Sequence, residues 1–134
     1  MAVAVGLVLG SAGCVDRAVD DAARAAASEV DGPHVVVLGS AQDGGVPHAG
    51  CGCSRCMAAR DDPARRRYVA SLAICLPATS EVFLIDATPD VGVQLEMLRE
   101  FRQSPDAAVD RKPVDGVFLT HAHIGHYIGL AFFG

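Results

Sequence analysis

Three of the chain's five histidines fall within six positions, as His121-x-His123-x-x-His126 in the run THAHIGHYIGL at 120–130. On a helix, residues two apart point roughly 200° apart around the axis, so His121 and His123 would diverge. In an extended segment they project to the same face, because side chains alternate with a period of two. A strand leading into the motif therefore lets the two imidazoles chelate one ion. Gly125 eases a turn in the backbone, so that His126 joins them from the start of a following helix. Neutral imidazole is a good ligand for Zn²⁺ and Fe²⁺.

A second cluster lies upstream. Cys51-x-Cys53-x-x-Cys56, with His48 three residues earlier, offers three thiols and an imidazole within nine residues. A Cys₃His set is a common closed structural zinc site, and Gly50 and Gly52 let the chain wrap an ion. In an oxidising compartment the same thiols would form disulfides, so zinc, disulfide and free thiols all stay open on spacing alone. Cys75 sits in an apolar run and reads as a small buried hydrophobe. No histidine base is placed beside any thiol, so a nucleophilic cysteine is not expected.

These groups need elements to hold them. Residues 34–39 (HVVVLG) read as a buried strand closed by glycine, and SAQDGGVPHAG after it as a loop. Residues 68–76 (YVASLAICL) and 81–87 (EVFLIDA) read as two strands joined by Pro-Ala-Thr-Ser, as a hairpin would be. Thr88-Pro89-Asp90 starts a helix, with Thr88 as cap and Asp90 at the positive end of the dipole. Val91, Leu95, Leu98 and Phe101 make its apolar stripe, with Gln94, Glu96, Arg99 and Glu100 off it. Ser104-Pro105 ends it. Residues 114–119 (VDGVFL) form the strand that delivers the histidines, and a short helix follows from His126. The order is β, β, β, α, β, α.

The chain has 134 residues, an apolar fraction of 51% and a formal charge of −5 at pH 7. That supports one modest core and excludes global disorder. The acidic balance argues against gripping a phosphate backbone, so no nucleic-acid partner is expected. Arg65-Arg66-Arg67, beside Asp61 and Asp62, reads as a solvated face. Residues 1–13 (MAVAVGLVLGSAG) carry no charge and are too short for a spanning helix, which needs about 20 apolar residues. They resemble the end of a bacterial export signal, and Ser11-Ala12-Gly13-Cys14 a lipobox with Cys14 as the lipidated residue. Ser11 stands where Leu is usual, and no Lys or Arg precedes the apolar run. The expected organisation is an export segment at 1–14, a polar tether at 15–32 and a folded domain over 33–134. The expected location is the cell envelope or periplasm, with any membrane contact made through the lipid anchor. If residues 1–13 are only an untidy apolar N-terminus, the location is the cytoplasm.

A strand, then Thr-His-x-His-x-x-His, then a Gly-Leu helix resembles the metallo-β-lactamase superfamily, whose signature is His-x-His-x-Asp-His. The loop VVVLGSAQDGG and the Cys-x-Cys-x-x-Cys cluster look like its pyrroloquinoline-quinone biosynthesis protein B branch. The resemblance covers roughly residues 34–134. It implies an α/β (α+β) fold, the N-terminal half of an αββα sandwich, continued in a longer protein. It implies that His121 and His123 hold a first metal and His126 a second, that Asp86 at the end of its strand stands beside the metal site, and that the cysteines with His48 form a structural zinc knuckle. Gly125 occupies the place of the signature aspartate, which puts a dinuclear site in doubt. Asp43, in a loop that edges the active site in this fold, is a candidate for the missing carboxylate.

The function implied is a metal-dependent hydrolase acting on a small-molecule ester or amide, with zinc as the metal and Fe²⁺ as a further candidate at the histidines. The alternatives are an iron-dependent oxidoreductase in pyrroloquinoline-quinone biosynthesis and a non-catalytic, zinc-stabilised envelope protein. Alone, this stretch is expected to bind metal weakly, to leave one sheet face uncovered and to show no turnover.

Overall fold

The computed structural model describes residues 31–101 and 112–133. Cys14, the apolar run before it, nearly all of the polar stretch after it and residues 102–111, with the expected helix stop at Ser104-Pro105, lie outside the described residues.

Four strands form one sheet in the order β1-β2-β3-β4. They are β1 (His34–Gly39), β2 (Ser71–Leu76), β3 (Glu81–Ile85) and β4 (Gly116–Phe118). β1 and β2 are antiparallel, as are β2 and β3, with Cys75 opposite Val82 and Ala73 opposite Leu84. The Pro77–Ser80 connection closes through Thr79 N–H to Leu76 O and Ser80 N–H to Pro77 O, as the hairpin expectation requires. β4 lies parallel to β3, with Leu84 opposite Val117. A parallel neighbour needs a crossover, and helix α2 (Val91–Met97) lies on it.

Burial alternates along all three long strands. One face carries Val36, Leu38, Ala73, Cys75, Val82 and Leu84, which pack with Ala87, Val91, Leu98 and Val114 into the core. Each fully buried aliphatic side chain contributes about 1.5–3 kcal/mol. The opposite face is also apolar (Val37, Leu72, Ile74, Phe83, Ile85) yet only half-buried. Antiparallel sheets usually turn a polar face to water, and this one instead carries a second apolar surface. No helix among the described residues is long and apolar enough to cross a membrane.

Three expectations need correcting. Helix α1 (Ser54–Asp61) was not foreseen: SRCMAARD has no continuous apolar stripe, and only Cys56 and Ala59 are buried. Gln94 is not on the solvent side of α2 but completely buried. It accepts from Thr88 Oγ1 at 2.7 Å and donates to Val69 O at 2.8 Å, so its amide ties the helix to the chain entering β2. The start of α2 also differs. Thr88 Oγ1 accepts from Asp90 N at 3.1 Å, but the helix proper begins at Val91. The Asp90 carboxylate accepts from Val69 N at 2.8 Å rather than from a helix N–H.

The terminal segment docks through close backbone approach. Helix α3 (Ile124–Tyr127) begins two residues before His126 and runs into a 3-10 helix, Ile128–Phe133. Gly129 donates to Ala87 O at 2.9 Å. A Cβ there would lie 2.2 Å from Thr88 O, so only glycine fits against the exit of β3.

Candidate metal centres

Asp86 directly follows β3, and its φ of 66° is uncommon for a residue with a side chain. The turn aims its carboxylate at the exit of β4, where Thr120 follows the strand. Thr120 N–H reaches Asp86 Oδ1 at 2.8 Å, Thr120 Oγ1 reaches Oδ2 at 2.7 Å, and His126 Nδ1 lies 2.8 Å from Oδ2. Only 4% of Asp86 is exposed. Burial pushes its pKa up, but the Thr120 N–H, His126 and the Thr120 hydroxyl outweigh it, and the group sits below the ordinary 3.8.

That network orients two imidazoles. A carboxylate only accepts, so His126 donates from Nδ1 to Asp86 and turns Nε2 outward. Thr120 gives its single hydroxyl proton to Asp86, so Oγ1 accepts from His121 Nδ1 at 2.9 Å, and the neutral His121 ring keeps its lone pair on Nε2. Buttressing one ring nitrogen so that the other can ligate is the usual way a protein sets a metal-binding histidine. The three rings gather, with centroids 4.5 Å apart for His121–His123 and 4.1 Å for His121–His126. His126 Nε2 faces Asp43 Oδ1 at 3.2 Å. The donor chemistry fits a divalent ion, although the imidazole nitrogens do not all come within 4.8 Å of one another.

The hydrogen bond to Asp86 raises the His126 pKa above the ordinary 6.5, burial opposes this, and the charges of Asp86 and Asp43 add to the rise. The consequence for metal-free protein has a definite sign. Asp86, lowered, stabilises the fold above pH 3.8 and stops doing so as pH falls through its folded value. His126, raised, contributes fully below pH 6.5, and its contribution is lost as pH rises through its folded value. Melting temperature should therefore fall on both sides of this window, while metal affinity at Nε2 increases as pH rises above 6.5. Isothermal titration at several pH values checks it; affinity independent of pH would exclude His126 as a ligand.

The cysteines form a separate centre. Among the described residues, Cys51, Cys53 and Cys56 are the one group with three donor atoms within 4.8 Å of one another, and they stand as free thiols. Cys53 is the N-cap of α1. Its thiol is lowered to about 7, first by the Cys56 N–H and then by the neighbouring thiols. The Cys56 thiol is raised: the His48 N–H pulls it down, but burial and the other two sulfurs outweigh that. An acidified thiol at a helix N-terminus is ready to ligate. Arg60 holds the loop in shape, donating to Cys51 O at 2.6 Å and His48 O at 2.9 Å. His48 joins only through its backbone N–H, 3.4 Å from Cys56 Sγ. Its ring lies against Gly44, with Nδ1 beside Ala49 O at 2.9 Å, so the expected fourth ligand is not among the converging donors. Cys75 is buried, its thiol pushed up to about 11 by burial. Cys53→Ser should release about one metal ion and lower the melting temperature. Unchanged metal content would leave the cysteines as plain thiols or disulfide partners.

Thr120 and Arg60 had no role on the sequence. Each acts through a contact distant in the chain, and the one local signal was the place of Thr120 at the strand end directly before His121.

Residues 64–134 match the family described as Metallo-beta-lactamase superfamily. The chain belongs to that superfamily. Within it, the chain lies near the branch of coenzyme PQQ synthesis protein B. It is 41% identical over 96 residues to that protein from Rhodopseudomonas palustris, a stretch covering 72% of this chain and 30% of the relative. Against the same protein from Methylorubrum extorquens the identity is 35% over 99 residues, covering 72% and 32%. Among solved structures, Zn(2+)-bound PqqB from Methylobacterium extorquens aligns with a TM-score of 0.60 and 34% identity, covering 73% of this chain and 35% of that one. A diphosphatase from the PhnP family aligns with a TM-score of 0.53, also at 34% identity, covering 73% and 33%. The chain thus spans about a third of the length of the proteins it matches.

Proposed function

We propose that this superfamily member serves a metal-dependent hydrolase acting on a small molecule at an ester, amide or phosphate-type bond. One observation carries the reading: Asp86 and Thr120 hold the Nδ1 atoms of His126 and His121 and leave both Nε2 atoms as metal donors. A divalent ion at such a site supplies Lewis acidity and brings the pKa of water towards neutrality. Asp86 and Thr120 fix the ring orientations of His126 and His121, while His121 and His123 stay open to an incoming ion. Similarity to a Zn(2+)-bound protein supports zinc, with the cysteines as its structural site, and similarity to a diphosphatase supports a phosphate-type bond.

Metal analysis of the purified full chain, paired with hydrolysis of bis(p-nitrophenyl) phosphate and p-nitrophenyl acetate, tests this. Two ions per chain are expected, one of them lost in His121→Ala/His123→Ala, with any hydrolysis lost alongside it. A single ion, kept by that variant and lost in Cys53→Ser, would overturn the reading in favour of a zinc-stabilised binding module. The 41% identity to a coenzyme PQQ synthesis protein favours a second reading, an iron-dependent oxidoreductase in that biosynthesis. Iron rather than zinc at the histidines would select it. Export with lipidation at Cys14 is proposed on residues 1–14, and an intact Met1 in mature protein, read by mass spectrometry, would refute it.

A further inference from the structure

We infer that Asp43 is the anionic ligand of the histidine metal site and that position 125 is glycine to make room for it. This rests on the metal-site reading above. Two neutral imidazoles leave the charge of a divalent ion uncompensated, so the site calls for a carboxylate. Asp86 is spent, since both its oxygens are engaged by Thr120 and His126. Asp43 is not buried, and its Oδ1 stands 3.2 Å from the outward Nε2 of His126. In the metal-free protein a proton on Nε2 holds this pair together, and a divalent ion shared by the two atoms would take that proton's place.

The loop carrying Asp43 is pinned rather than trailing. Gly45 N–H closes a turn on Gln42 O at 2.7 Å, and Val46 and Arg67 exchange N–H···O bonds of 2.8 and 2.9 Å. A Cβ on Gly125 would lie 2.6 Å from both Cβ and Cγ of Asp43 and 2.9 Å from its Cα. Any side chain at 125 and the present position of Asp43 therefore exclude each other. The same geometry means that an aspartate at 125 would send its carboxylate towards the space that Asp43 fills.

The test uses the full chain titrated with Zn²⁺ against a chromophoric chelator, and with Co²⁺ followed by visible absorption. Asp43→Asn, isosteric and at an exposed position, should weaken the histidine-site ion roughly tenfold or more and change the Co²⁺ spectrum, leaving the cysteine-site ion bound. Gly125→Asp alone should weaken binding through the clash, whereas Asp43→Gly/Gly125→Asp should recover affinity over Asp43→Gly. If His121→Ala removes the ion but Asp43→Asn leaves affinity and spectrum unchanged, the assignment of Asp43 is overturned and the metal site stands. If neither variant alters metal content, both fall. A double variant no better than Asp43→Gly would also overturn the exchange.

Discussion

Asp86→Ala is expected to destabilise the protein by about 3 kcal/mol, because it strands three donors that converge on one carboxylate. Thr120 N–H, Thr120 Oγ1 and His126 Nδ1 all end on Asp86. Without it, the tautomers of His121 and His126 are no longer set, so metal affinity at the histidines should fall roughly tenfold or more. The backbone strain at φ 66° is separable from this effect. Asp86→Gly relieves the positive φ and still removes the acceptor. Thermal melts and zinc titrations of both variants check the prediction. A glycine variant as stable and as tight-binding as the parent would mean that the acceptors contribute nothing.

Gly129→Ala should have a comparable effect for a steric reason. The added Cβ would meet Thr88 O at 2.2 Å and Ala87 C and O at 2.8 Å, and all three are backbone atoms at the exit of β3. Side chains cannot swing aside to relieve this, so the cost should sit near the top of the range for overpacking, about 3 kcal/mol. The bond from Gly129 N–H to Ala87 O would break, lifting the segment that begins at α3 and carrying His126 away from Asp86. Metal at the histidines should weaken while metal at the cysteines stays. Gly92→Ala is the control. Nothing lies within 4 Å of its Cβ position in α2, so alanine there should stabilise by about 0.5–1 kcal/mol. Equal melting temperatures for the two alanine variants would refute the close-packing account.

Much of the fold was readable because it rests on local pattern. The apolar, β-branched runs VVVLG, SLAICL and EVFLI read as strands and Pro-Ala-Thr-Ser closes the hairpin, whereas which alternate set of side chains faces the core shows only in the structure. α1 was not readable, because its residues show no apolar periodicity; the loop that Arg60 clamps precedes it, and Cys56 and Ala59 are its only buried residues. The burial of Gln94 was also hidden: a polar residue on a helix reads as solvent-facing unless its partners, here Thr88 Oγ1 and Val69 O, are known.

The sequence by itself determined the chemistry available: two imidazoles that an extended backbone brings to one end of a strand with a third on the helix after it, three thiols within six residues, and an aspartate following an apolar strand. Residue type and short spacing decide such things, since side-chain direction follows local backbone geometry. Tertiary structure alone decided which groups meet. It put Asp86 behind His126, 40 residues away, turned the ring of His48 from the thiols towards Gly44, and brought Asp43 into the space over Gly125. Those contacts come from the pairing of β3 with β4 and from loops folded onto their ends, and no periodicity in the chain encodes distances between residues so far apart.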